Sequence, residues 1–252
     1  MYRHSSGRLA LTVLASTLLL ASCSVLNEII MEPDQSTIRG SGVVREETRE
    51  VSGFTGVELA TVGTVHIVQG SREELRIEAE ENLLPHLRTR VEGRLLRIET
   101  TNNVNLQPTR PVRYYLTVRD LDRATLSGSG SIQVEELRTR RLAATVSGSG
   151  GMELSGLNAD ALTLAVSGSG GASASGRVAT QDVNLSGSGS FDGRNLESNR
   201  AGVNLSGSGS ATLRVRERLD ATVSGSGSVR YFGSPRVSQN VSGSGSVVRA
   251  GG

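Results

Sequence analysis

A four-residue string that returns seven times constrains this chain more than anything else in it. Ser-Gly-Ser-Gly begins at Ser127, Ser147, Ser167, Ser186, Ser206, Ser224 and Ser242, with successive spacings of 20, 20, 19, 20, 18 and 18 residues. Self-similarity at such a period is the mark of a solenoid, in which each repeat is one coil that buries its apolar side only by stacking on its neighbours. The flanks decide which kind. Just before each first Ser stands Leu126, Val146, Val166, Leu185, Leu205, Val223 or Val241, and two places earlier Ala124, Ala144, Leu164, Val183, Val203, Ala221 or Gln239. Between them lie Thr125, Thr145, Ala165, Asn184, Asn204, Thr222 and Asn240, all small. That is the period-two pattern of a strand with one face buried. Five places after the first Ser the apolar column resumes at Ile132, Met152, Ala172, Phe191, Ala211, Val229 and Val247. No segment carries a helical period.

Strand, Gly-rich corner and strand within one repeat predict a β-helix whose equivalent strands stack in parallel about 4.8 Å apart. About seven coils after residue 120 then make a rod of roughly 34 Å. If the alternation runs through the corner, the glycines (Gly128, Gly148, Gly168, Gly187, Gly207, Gly225 and Gly243, each with its successor) point inward and the serines outward. Flexible Ser-Gly linkers would not recur in register with apolar columns on both sides.

Composition agrees with a narrow body. Aromatic residues are 3% of 252 and Trp is absent, which excludes a large aromatic core and leaves a thin one of Val, Leu, Ile and Ala. Every basic side chain is Arg, the net charge is +2, and arginines alternate with glutamates, as in Arg45-Glu46-Glu47-Thr48-Arg49-Glu50. A nucleic-acid partner needs a one-sided basic patch, so none is expected.

The N-terminus reads as an export signal. Arg3 and Arg8 precede an apolar run over residues 9–21, which as a helix spans only about 20 Å and is too short for a bilayer core of roughly 30 Å. It ends in Leu20-Ala21-Ser22-Cys23, which resembles the lipobox of bacterial lipoproteins, and Cys23 is the only cysteine. The resemblance implies cleavage between Ser22 and Cys23, a diacylglycerol on the thiol and a further acyl chain such as palmitate on the amine. More than one chain is what stable anchoring needs. Ser24 in place of an aspartate implies the outer membrane by default. The expected organisation is a signal peptide over 1–22, a lipidated tether over 23–38 and a β-helix domain over 39–252. That domain divides into an irregular β-rich part, 39–125, and the repeat part, 126–252.

The irregular part holds strand-like runs at Val65-His66-Ile67-Val68, Leu75-Arg76-Ile77-Glu78-Ala79, Leu95-Leu96-Arg97-Ile98 and Val112 to Val118, with one helical turn between Glu80 and Leu87. Such strands are expected to extend or cap the solenoid, whose open end would otherwise leave unpaired edges.

Taken together, Arg49-Glu50-Val51-Ser52-Gly53-Phe54, Val65 to Gly70, Glu78 to Pro85, the serial Ser-Gly corners and Tyr231-Phe232-Gly233-Ser234-Pro235 resemble the bacterial head GIN domain family of auto-transporter adhesins. Coverage runs from about residue 45 to 246. At Ala60-Thr61-Val62-Gly63 the chain departs from the corner the family often has there. The resemblance implies an all-β fold, a right-handed parallel β-helix, in a cell-envelope protein without catalytic residues.

The side chains themselves offer little chemistry. His66 and His86 lack partners at metal-ligand spacing, and Ser stands where a calcium-binding roll needs Asp, so no metal or cofactor is expected. Glu197 and Glu217 each lie eleven residues after a corner Ser and could stack as a carboxylate pair, but Arg200, Arg216 and Arg218 nearby favour a surface ion-pair network. The expected function is non-enzymatic adhesion or envelope binding by a membrane-anchored module, with a glycan or an envelope protein as ligand. The alternatives are a periplasm-facing structural or signalling protein and, behind it, a glycan-acting enzyme.

Overall fold

The computed structural model describes residues 36–251, so Ser22, Cys23 and the expected signal lie outside the described residues. The body is a parallel β-solenoid of about six turns.

Two columns of strands meet at the corners. Before the corner, Leu95–Thr100, Gly56–Ala60, Arg123–Leu126 and then residues 143–146, 163–166, 182–185, 202–205, 220–223 and 238–241 pair in parallel, rung upon rung. After it, Arg113–Val118, Thr64–Gln69, Ser131–Glu135 and residues 151–154, 171–173, 190–193, 210–214, 228–231 and 246–249 do the same. The alternation explains the core. Leu126, Val146, Val166, Leu185, Leu205 and Val223 are each at most 3% exposed, as are Ala124, Ala144, Leu164, Val183, Val203 and Ala221. Each buried Leu or Val contributes roughly 1.5–3 kcal/mol. On the last rung Gln239 and Val241 are exposed, because no further described strand stacks over them.

Ala60-Thr61-Val62-Gly63 is a corner in everything but sequence. Ser127 N–H donates to Leu59 O at 2.9 Å and Ser131 N–H to Gly63 O at 2.9 Å, so this turn underlies the first Ser-Gly corner in register. Between that corner's two strands and the repeat the chain makes a long excursion, residues 70–122, that adds one rung (Leu95–Thr100 and Arg113–Val118) and closes the stack. Leu87–Glu92 lies antiparallel on Leu95–Thr100, Glu74–Glu80 antiparallel on Arg113–Val118, and Val44–Arg49 antiparallel on Glu74–Glu80. A short 3-10 turn, Leu84–His86, falls within the expected helical stretch. Phe54 and Tyr114 fill this end, and Tyr114 donates its hydroxyl to Val62 O at 3.2 Å. Ser36–Arg39, which straddles the expected boundary between tether (23–38) and domain (39–252), is a strand pairing in parallel with Val104–Gln107.

The corners correct one expectation. The serines do point outward, but only the second glycine of each pair points inward. Gly148 and Gly168 take φ of +120° and +105° and remain exposed, whereas Gly150 and Gly170 are buried. A left-handed residue is what breaks the alternation and turns the chain, and glycine takes it without a Cβ penalty. At the inward position a side chain has no room: a Cβ on Gly170 would lie 2.6 Å from Gly150 O and 2.8 Å from Val146 Cγ1.

Candidate binding surface

Stacking converts the repeat into periodic columns. Ser147, Ser167, Ser186, Ser206, Ser224 and Ser242 are direct neighbours in successive rungs, as are Gly148, Gly168, Gly187, Gly207 and Gly225 beside them, all exposed but the half-buried Gly207. Gly243 repeats the conformation at φ +109°, whereas Gly128 in the first corner does not; there Ser127 donates to Glu58 Oε1 at 3.0 Å. Two residues before the corner, Asn204 Nδ2 donates to Asn184 Oδ1 at 3.0 Å, and Thr222 and Asn240 follow Asn204 in register.

The structure does not bring Glu197 and Glu217 together. Register shifts between Gly193 and Glu197 and between Ser198 and Arg200 place Glu197 beside Arg214. Glu197 ion-pairs with Arg177 at 3.5 Å and Glu217 with Arg200 at 3.8 Å. The equal offset from the corner misled because the coil between them shortens on its far side. The Arg200–Glu217 pair borders an open groove of about 1080 Å³ that includes Asp182, Arg218 and Asp220, with Gly202 between the two aspartates in the stack. Arg218 grips Asp220 with two hydrogen bonds, 2.7 and 2.9 Å, which hold that carboxyl below its ordinary range. The groove therefore presents charges that are largely satisfied within the surface itself.

His66 stands outward, its ring stacked on Tyr115 with centroids 5.4 Å apart, and Arg76 covers the other face of Tyr115 at 4.2 Å. The tyrosine faces are thus occupied by neighbours in the column. His86 ends the 3-10 turn. Among the described residues no three His, Cys, Asp or Glu side chains converge as metal ligands, and no helix is long and apolar enough to cross a membrane.

Three polar arrangements were not apparent from sequence. Glu80 is fully buried and accepts four hydrogen bonds: Gly42 N–H at 2.6 Å, Thr109 N–H at 2.8 Å, Thr109 Oγ1 at 2.6 Å and Arg110 N–H at 3.2 Å. Burial alone would raise its pKa; the four donors outweigh it and hold the carboxyl at about 2. Asn82 adds to this clasp, donating to Arg39 O and accepting from Ser41 N–H. At the first corner Arg97 Nε donates to Glu58 at 2.8 Å. Inside the solenoid, Gln181 Nε2 donates to Ser198 Oγ at 2.7 Å, which donates on to Arg214 O at 3.0 Å.

Fold and surface together define a parallel β-solenoid, capped at its N-terminal end, that displays ladders of small polar side chains. Residues 53–235 match the family model described as "Putative auto-transporter adhesin, head GIN domain", and the chain belongs to that family. Among solved structures it is similar to a putative adhesin from Bacteroides fragilis, with 22% identity and a TM-score of 0.79 over 84% of this chain and 100% of that one. It is also similar to a putative lipid binding protein from Parabacteroides distasonis (24%, TM-score 0.73, 86% and 100%) and to a putative adhesin from Parabacteroides merdae (20%, TM-score 0.65, 85% and 99%). At these identities the likeness establishes the fold. No curated protein matches the chain.

Proposed function

We propose that the protein is a non-enzymatic envelope lipoprotein, anchored through acyl chains on Cys23, whose solenoid serves as a rigid surface for adhesion. The observation that carries this reading is the register of the corners: six successive serines stack one above another in a fixed, solvent-exposed column. A preformed array of hydroxyl groups loses little conformational freedom when it binds, which favours a polar partner such as a glycan or an envelope protein. Membership of a family described by adhesion supports the reading. So does the entry of the chain at the capped end, where Glu80 and Asn82 clasp residues 39–43 and so fasten the solenoid to the segment leading from Cys23.

Protease shaving of intact cells tests the adhesive part. Loss of the full-length band from shaved cells, with a periplasmic marker intact, is the expected result. A band that survives shaving and disappears only after the outer membrane is opened would favour the periplasm-facing alternative.

A further inference from the structure

A second groove lies where the excursion rejoins the repeat. Gln69, at the end of Thr64–Gln69, staples two distant stretches: its Nε2 donates to Arg119 O at 3.0 Å and to Arg138 O at 3.1 Å, and its Oε1 accepts from Arg138 N–H at 3.0 Å. One amide thus holds two arginines next to each other across a gap of 19 residues in sequence. Between them opens a groove of about 650 Å³ whose wall also includes Glu136, Gly156 and Asn158. No aliphatic or aromatic side chain lines it. Among the described residues no ion pair reaches Arg119 or Arg138, in contrast to Arg177, Arg200 and Arg218 further along the rod.

Glu136 is the second observation. It sits at φ +51°, a left-handed conformation that costs a residue with a Cβ roughly 1–2 kcal/mol. In the next coil the equivalent position is Gly156, at φ +66°, where that cost is absent. A strained glutamate where glycine would do, at the rim of a groove with two uncompensated arginines, is the pattern of a residue kept for its side chain. Beyond Arg138 the surface continues into a neighbouring groove of about 840 Å³ where Arg94, Arg140 and Arg141 are interleaved with Asp120, Asp122 and Asp160, so the positive surface without carboxylate partners is centred on Arg119 and Arg138. The two grooves share Arg138, so the track suits an extended ligand.

We propose that the groove at Arg119 and Arg138 binds a polysaccharide bearing carboxylates, such as a chain of uronic acids. This rests on the adhesive reading above and names its ligand class. The guanidiniums of Arg119 and Arg138 take sugar carboxylates in bidentate pairs. Glu136 accepts from sugar hydroxyls and Asn158 donates to or accepts from them. Phosphate offers none of the hydroxyl groups that Glu136 and Asn158 would engage, and the lack of apolar lining in this groove disfavours a peptide.

Titration calorimetry of the full chain in detergent, with tetragalacturonate as probe, tests the proposal. The comparison ligands are cellotetraose, which is neutral, and inorganic phosphate. Tetragalacturonate is expected to bind, more weakly as salt rises, and cellotetraose and phosphate are expected not to compete. Arg119→Gln and Arg138→Gln each weaken binding about tenfold at unchanged Tm. Glu136→Gly weakens it while Tm does not fall, and Arg230→Gln, on the strand Ser228–Phe232, leaves it unchanged. Absence of tetragalacturonate binding, equal competition by phosphate or cellotetraose, or an equal loss in Arg230→Gln would overturn the proposal. If any of these occurs while the protein remains accessible on intact cells, the groove assignment fails alone; inaccessibility on intact cells defeats the adhesive reading itself.

Discussion

At Glu80, four donors from two separate loops converge on one carboxylate with no access to water. Glu80→Gln turns one acceptor oxygen into a donor facing N–H groups, and is expected to cost about 2 kcal/mol or more of stability by urea unfolding. The same residue sets an acid limit. Its folded pKa of about 2 lies below the ordinary 4.5, so its stabilisation is full above about pH 4.5 and is lost as pH falls from there towards 2. Unfolding measured from pH 6 down to pH 2 should show that loss in the wild type and less of it in Glu80→Gln. The glycines divide just as sharply. Gly168→Ala places a Cβ at positive φ, costing roughly 1–2 kcal/mol, and sets it 2.8 Å from Gly148 O. Gly170→Ala drives one into the carbonyl of the rung below and the side chain of Val146, and is expected to lower Tm further.

At the level of the element, the corner fixes register and the far side of each coil absorbs the differences in length. The 20-, 19- and 18-residue repeats keep Ser over Ser and Gly over Gly, while the shifts fall at residues 154–157, 173–175, 193–197 and 198–200. Inserting one residue between Arg194 and Asn195 should therefore cost little Tm, whereas inserting one between Ser208 and Gly209 should unfold the coils beside it. Circular dichroism melts of the two variants distinguish these outcomes. The same division explains what the sequence disclosed. The Ser-Gly run and its flanking apolar pairs announced the strands, the stacking and the buried columns, because alternation is a local signal. The direction of the first corner glycine, the fate of Glu197 and Glu217, and the corner status of Ala60–Gly63 depend on register with chain many residues away. The groove at Arg119 and Arg138 was hidden for the same reason, although Arg119-Asp120-Leu121-Asp122-Arg123 and Arg138-Thr139-Arg140-Arg141 interrupt the small-polar pattern at the two stretches that meet there.

Across the whole molecule the two ends differ. One is closed by antiparallel strands and clasped by Glu80; at the other, Arg236–Ser242 and Ser246–Arg249 pair on one side only among the described residues, with Val237, Val241 and Val248 exposed. Solenoid stability is a sum over neighbouring coils, so amide exchange should be fastest in those last strands and slowest near Leu126 and Val146. Anchoring at Cys23 would then load the end best built to hold. Fractionation of cells that carry either the wild-type chain or Cys23→Ala is the most direct test of the lipoprotein account. The wild type should partition with membranes and Cys23→Ala should not; equal partition of the two would contradict it.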